Sequence, residues 1–119
     1  MAHNSPQPQR SFPMLSTKDQ KIFNRFASSV RDKFPAAKIW AYGSRVRGDA
    51  AAESDLDVCV VVDKLDDEAD SAIMAIAWQV GFENDVIIST VTYSKEEFEH
   101  GPCSESGLVQ NILGYGIAA

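Results

Sequence analysis

The run Leu-Asp-Val-Cys-Val-Val-Val at 56–62 constrains the fold more than any other stretch of this chain. It is too short for a buried helix and dominated by β-branched residues, so it reads as a strand. Its almost unbroken apolarity predicts a strand covered on both faces. Such a strand needs neighbours in a sheet and further layers above and below it. The flanking sequence supplies candidates. Lys-Ile-Trp-Ala-Tyr at 38–42 reads as a second strand and residues 85–93 as a third. Ile22, Phe23, Phe26, Val30 and Phe34 recur at three- and four-residue steps, the mark of one helical face, with Ser16 or Thr17 as cap and Pro35 as stop. A second long helix is expected over 66–79, with Asp66, Asp67 and Glu68 favouring its positive end and Gly81 as its stop. Ser94 and Glu97 have capping-box spacing for a third helix, and residues 107–113 suggest a short fourth. The expected class is α/β, a small mixed β-sheet packed against helices. Residues 1–15, with three prolines among small polar residues, read as a flexible leader ahead of one domain at 16–119.

Charge and composition exclude several functions. The formal net charge is −6. Binding to a nucleic-acid backbone is driven by Lys and Arg displacing counterions, so an acidic chain argues against it. No apolar run approaches a membrane span, and the first residues lack the apolar core of a secretory signal. The cysteines, Cys59 and Cys103, do not make a disulfide framework, and with two histidines there is no zinc constellation. A cytoplasmic protein with free thiols is the expectation. Cys59 reads as a small buried hydrophobe, and Trp40 and Trp78 as core or interface.

The chemistry-bearing stretch is 43–57. Gly43-Ser44 follows a strand and opens a helical turn or loop over 45–52. A glycine there lets backbone approach a ligand, and a helix start offers N–H groups to an anion. Asp55 and Asp57 stand two apart at the mouth of the next strand, so both carboxylates face one way. Two such charges repel unless a cation sits between them, and magnesium suits oxygen ligands of this kind. Taken singly, Gly-Ser is an ordinary turn and Asp-x-Asp an ordinary solvated strand mouth. Taken together, they set an anion cradle beside a metal site. Arg45 and Arg47 stand between them to neutralise phosphate, at least one of the two being expected as a plain surface charge.

Gly-Ser, ten residues, then Asp-x-Asp resembles the signature of the DNA polymerase beta-type nucleotidyltransferase superfamily, and the short chain resembles its minimal group. The resemblance covers the chain from about Thr17 onward. It implies a nucleotidyltransferase-like fold and Mg2+-dependent transfer of a nucleoside monophosphate, AMP by preference, from a nucleoside triphosphate. By the same resemblance Gly43, Ser44 and Arg47 would hold the nucleotide and Asp55 and Asp57 the metal. The family's third carboxylate falls on either Asp85 or Ser89, which share a face by parity. Minimal members are paired with an all-helical HEPN toxin, which the resemblance implies as acceptor, making this chain an antitoxin. Two alternatives stand beside it: a decayed nucleotide-binding module that neutralises its partner by contact, and nucleotidyl transfer to a small molecule.

Overall fold

The structure is a computed structural model that describes residues 14–48 and 54–119. Helix α1 (Thr17–Lys33) is capped by Ser16, whose hydroxyl accepts from the Asp19 amide at 3.0 Å, and it buries Ile22, Phe23, Phe26 and Val30. Strand β1 (Lys38–Tyr42) follows, then the single-turn α2 (Ser44–Arg47) and strand β2 (Leu56–Val62). Helix α3 (Asp67–Asn84) leads to strand β3 (Ile88–Ser94). Helix α4 (Lys95–His100), a short 3-10 turn (Pro102–Glu105), helix α5 (Gly107–Tyr115) and the two-residue strand β4 (Ile117–Ala118) complete the described fold. The Ser94–Glu97 capping box is present in full.

The sheet order is β3-β2-β1-β4. β1 pairs antiparallel with both β2 and β4, and β2 pairs parallel with β3, so the sheet is mixed. β2 is central and almost wholly buried, as its composition requires. Its even-numbered residues Leu56, Val58, Val60 and Val62 join one core with α1 and α3. Cys59 and Val61 join a second core with Phe98 of α4 and with Val109 and Ile112 of α5. Three layers result, helices on both sides of one sheet. No described helix is long and apolar enough to cross a membrane.

Four expectations are corrected. Helix α3 does not stop at Gly81 but runs to Asn84. A Cβ at Gly81 would press into the Val86 carbonyl, so this glycine serves close packing of the helix against the chain entering β3. β3 accordingly starts at Ile88, and Asp85 is the left-handed C-cap of α3 (φ 58°) rather than a strand residue. β4, which the sequence reading did not include, lies along Trp40 and Ala41. Leu15, assigned to the leader, is buried in the core. Residues 1–13 of that leader, and 49–52 of the expected 45–52 turn together with residue 53, lie outside the described residues.

Candidate active site

Antiparallel pairing sets Tyr42 of β1 opposite Asp57, and parallel pairing sets Ser89 of β3 on its other side. The three residues form a row across the sheet, about 4.8 Å from strand to strand, on one face. That face is the one covered further along by α4 and α5. Gly43 follows Tyr42 directly and turns the chain with φ 86°, a conformation natural to glycine. A Cβ added there would overlap Asp57 Oδ2. The glycine backbone and the Asp57 carboxylate are therefore packed against each other, which joins the two halves of the motif in space. Ser44 begins α2 immediately beyond, and no side chain caps that first turn.

The electrostatics at Asp57 follow from this packing. Burial pushes its carboxyl above the ordinary value of 3.8, and the neighbouring Asp55 adds to the effect. The guanidiniums of Arg47 and then Arg45 pull the other way without cancelling it. Two neighbouring carboxylates, one of them partly buried, suit an added cation. Tyr42 is pushed up to about 12 by burial and then by Asp57, so it stays a neutral phenol. Burial likewise pushes the Cys59 thiol up to about 12, which fits an inert core residue rather than a nucleophile.

The two arginines separate clearly. Arg47 is exposed. Arg45 is not a surface charge: Nη1 donates to both Asp19 oxygens at 2.9 and 3.1 Å, and Nε donates to the Ser54 carbonyl at 2.8 Å. It ties α1 to the residue just before Asp55. This Asp19–Arg45 pair is what the sequence reading missed, since 26 positions separate its members and no local pattern links them. Of the two candidates for a third carboxylate, Ser89 stands in register with Asp57, while Asp85 lies before the strand at the end of α3.

A cavity of about 620 Å³ opens at the opposite end of the same face, between Lys38, Trp40, Val61, Phe98 and Leu113, and includes none of the motif residues. Cavity size is therefore a poor guide to the chemistry here. Gly43→Ala provides a direct test of the joint between turn and carboxylate. The substitution forces alanine into a backbone region (φ 86°, ψ −158°) open essentially to glycine alone and displaces Asp57, costing about 1–3 kcal/mol of stability from the backbone alone. A displacement of about 1 Å at a reacting centre lowers turnover roughly a hundredfold. Parallel thermal melts and transfer assays should register both losses.

The family model described as nucleotidyltransferase domain matches residues 23–119, while no curated protein and no solved structure matches. The matched span takes in the glycine turn, both aspartates, the whole sheet and every helix except the start of α1. The chain belongs to the nucleotidyltransferase domain family.

Proposed function

We propose that the protein moves a nucleoside monophosphate, AMP by preference, from a nucleoside triphosphate to a hydroxyl on an acceptor. The observation that carries this reading is the contact between the Gly43 turn and Asp57, with Asp55 close enough to raise the Asp57 pKa. In the reaction the acceptor hydroxyl loses its proton to solvent as its oxygen forms a bond to the α-phosphorus. The bond from that phosphorus to the β,γ-pyrophosphate breaks, and pyrophosphate leaves with the bonding pair. Gly43 allows the polyphosphate close to the backbone. Ser44 offers a hydroxyl and the uncapped start of α2, and Arg47 offers positive charge.

Asp55 and Asp57 are a pair of neighbouring carboxylate oxygen donors, which fits Mg2+. When bound, the ion would stabilise charge on the entering and leaving oxygens. The acceptor we assign is a HEPN-type helical toxin, on the resemblance to minimal members, which makes the chain an antitoxin. We place it in the cytoplasm, where the free buried Cys59 is at home. The test is incubation with α-labelled ATP, Mg2+ and the product of the adjacent gene. Label should move to that protein. Label that persists when Asp55 and Asp57 are both alanine would refute the assignment.

One observation favours a second reading. Ser89, not an acid, stands beside Asp57 in the sheet, which is the arrangement expected of a weakened metal site and of a module that binds nucleotide without turnover. Two substitutions separate the readings. Asp85→Asn keeps a residue that tolerates a left-handed cap and should leave transfer unchanged. Ser89→Asp should raise Mg2+ affinity, seen by calorimetry, and raise transfer with it. Nucleotide binding with no transfer in either protein would favour the module, and transfer to small acceptors in the absence of a protein partner would favour small-molecule chemistry.

A further inference from the structure

Helix α3 is apolar on two sides. One side buries Ala69, Ile73, Ala77 and Val80 in the core, as a surface helix should. The opposite side exposes Met74 (56%), Trp78 (71%) and Phe82 (75%), four residues apart along a single ridge. Ile87, 66% exposed, extends the ridge past the helix end. The Trp78 and Phe82 rings stack almost parallel, their centroids 5.3 Å apart with an interplanar angle of 4°. From Ser71 to Phe82 the helix carries no charged residue, in a chain whose net charge is −6. A helix with a second apolar side is built to be covered on that side too.

We propose that this ridge is a two-fold interface with a second copy of the same chain. Three observations on the ridge favour that occupant. The first is its symmetry. Antiparallel packing of two α3 helices about an axis at Trp78 sets Trp78 against Trp78 and Met74 of each copy against Phe82 of the other, so the ridge complements itself reversed. The second is charge. Two copies with a surplus of acid repel, and the stretch from Ser71 to Phe82 adds no charge to that repulsion. The third is area. Aromatic side chains cover about 150–250 Å² each. With Met74 and Ile87 the exposed ridge presents on the order of 500 Å² per copy, or about 1,000 Å² in the pair, the lower bound of a specific interface. Asp57 projects from the other face of the sheet, away from the packed side of α3. The inference is independent of the proposed reaction.

Sedimentation equilibrium of the full chain, from micromolar to several hundred micromolar, tests it without any nucleotide. The wild type should reach a dimer. Trp78→Lys, Met74→Lys and Phe82→Glu should each weaken association roughly thirtyfold or more. These side chains are mostly exposed, so circular dichroism should show an unchanged fold. Mixing Met74→Lys with Phe82→Glu should restore association, because the axis brings the new Lys and Glu together. A wild type that stays monomeric overturns the proposal. So does a dimer that the substitutions leave intact, a mixture no better than its components, or a monomeric chain that uses the ridge for a different protein. Trp78→Lys should keep wild-type Mg–ATP affinity, so failure here is distinguishable from failure of the assigned reaction.

Discussion

Asp57→Asn is expected to lower nucleotidyl transfer roughly a thousandfold while making the metal-free protein more stable. The first effect follows from removing one of two carboxylates that would hold the cation. Metal stabilisation of a phosphoryl transition state is worth several kcal/mol, and each 1.36 kcal/mol is about tenfold in rate. The second effect follows from the sign of the pKa shift. The Asp57 carboxyl lies above 3.8 in the folded chain, because of burial first and Asp55 second. The folded state therefore holds the Asp57 proton more tightly than the unfolded chain does. Ionisation then costs folding free energy, a cost absent well below pH 3.8 and complete once the pH exceeds the raised value. Asparagine keeps the shape without the charge. Its melting temperature should exceed that of the wild type at neutral pH, and the difference should vanish on acidification through the Asp57 titration. Mg2+ should raise the wild-type melting temperature by mass action and leave Asp57→Asn unmoved. A site that is destabilising when empty and stabilised by its cation is the usual trade between function and stability. Equal melting temperatures at neutral pH would contradict the electrostatic account, even if activity were lost.

The parts of this fold that were legible in the sequence are those whose cause is local. The α1 stripe, the β2 run and the Ser94–Glu97 box each carry their signal within a few residues, and each appears in the structure. The misread positions have distant causes. Gly81 looked like a stop because glycine usually ends a helix, yet here it admits the Val86 carbonyl, a contact that exists only once the chain has turned back. That error lengthened the expected third strand and made Asp85 look like a strand residue. The strand end row Tyr42–Asp57–Ser89 depends on register, which parity narrows to a face but not to a position. Trp78 could have been read more closely, since the uncharged stretch from Ser71 to Phe82 is longer than one buried face requires.

The Asp19–Arg45 pair carries the largest stability prediction and fixes the residue before Asp55 to α1. Asp19 is buried in the first turn of α1, where the helix dipole favours negative charge. Its partner Arg45 is nearly as enclosed, with side-chain exposures of 13% for Arg45 and 9% for Asp19. Removing one member of a buried pair strands the other, at a cost of about 3–5 kcal/mol. Asp19→Ala and Arg45→Ala should each lose about 3 kcal/mol in denaturant unfolding. The double variant should lose much less than the sum, leaving a coupling of about 1 kcal/mol or more. The two single variants should nevertheless differ at the site. Asp19→Ala keeps the Arg45 donor to the Ser54 carbonyl, while Arg45→Ala removes the tether that holds the residue before Asp55. Arg45→Ala should therefore weaken Mg–ATP binding beyond its effect on folding, and Asp19→Ala should do so less. Arg45→Lys belongs with the alanine variant, because an ammonium cannot span the carboxylate and the carbonyl with fixed planar geometry. Identical nucleotide affinities for Asp19→Ala and Arg45→Ala would show that the pair supports the fold alone and has no part in aligning the aspartates.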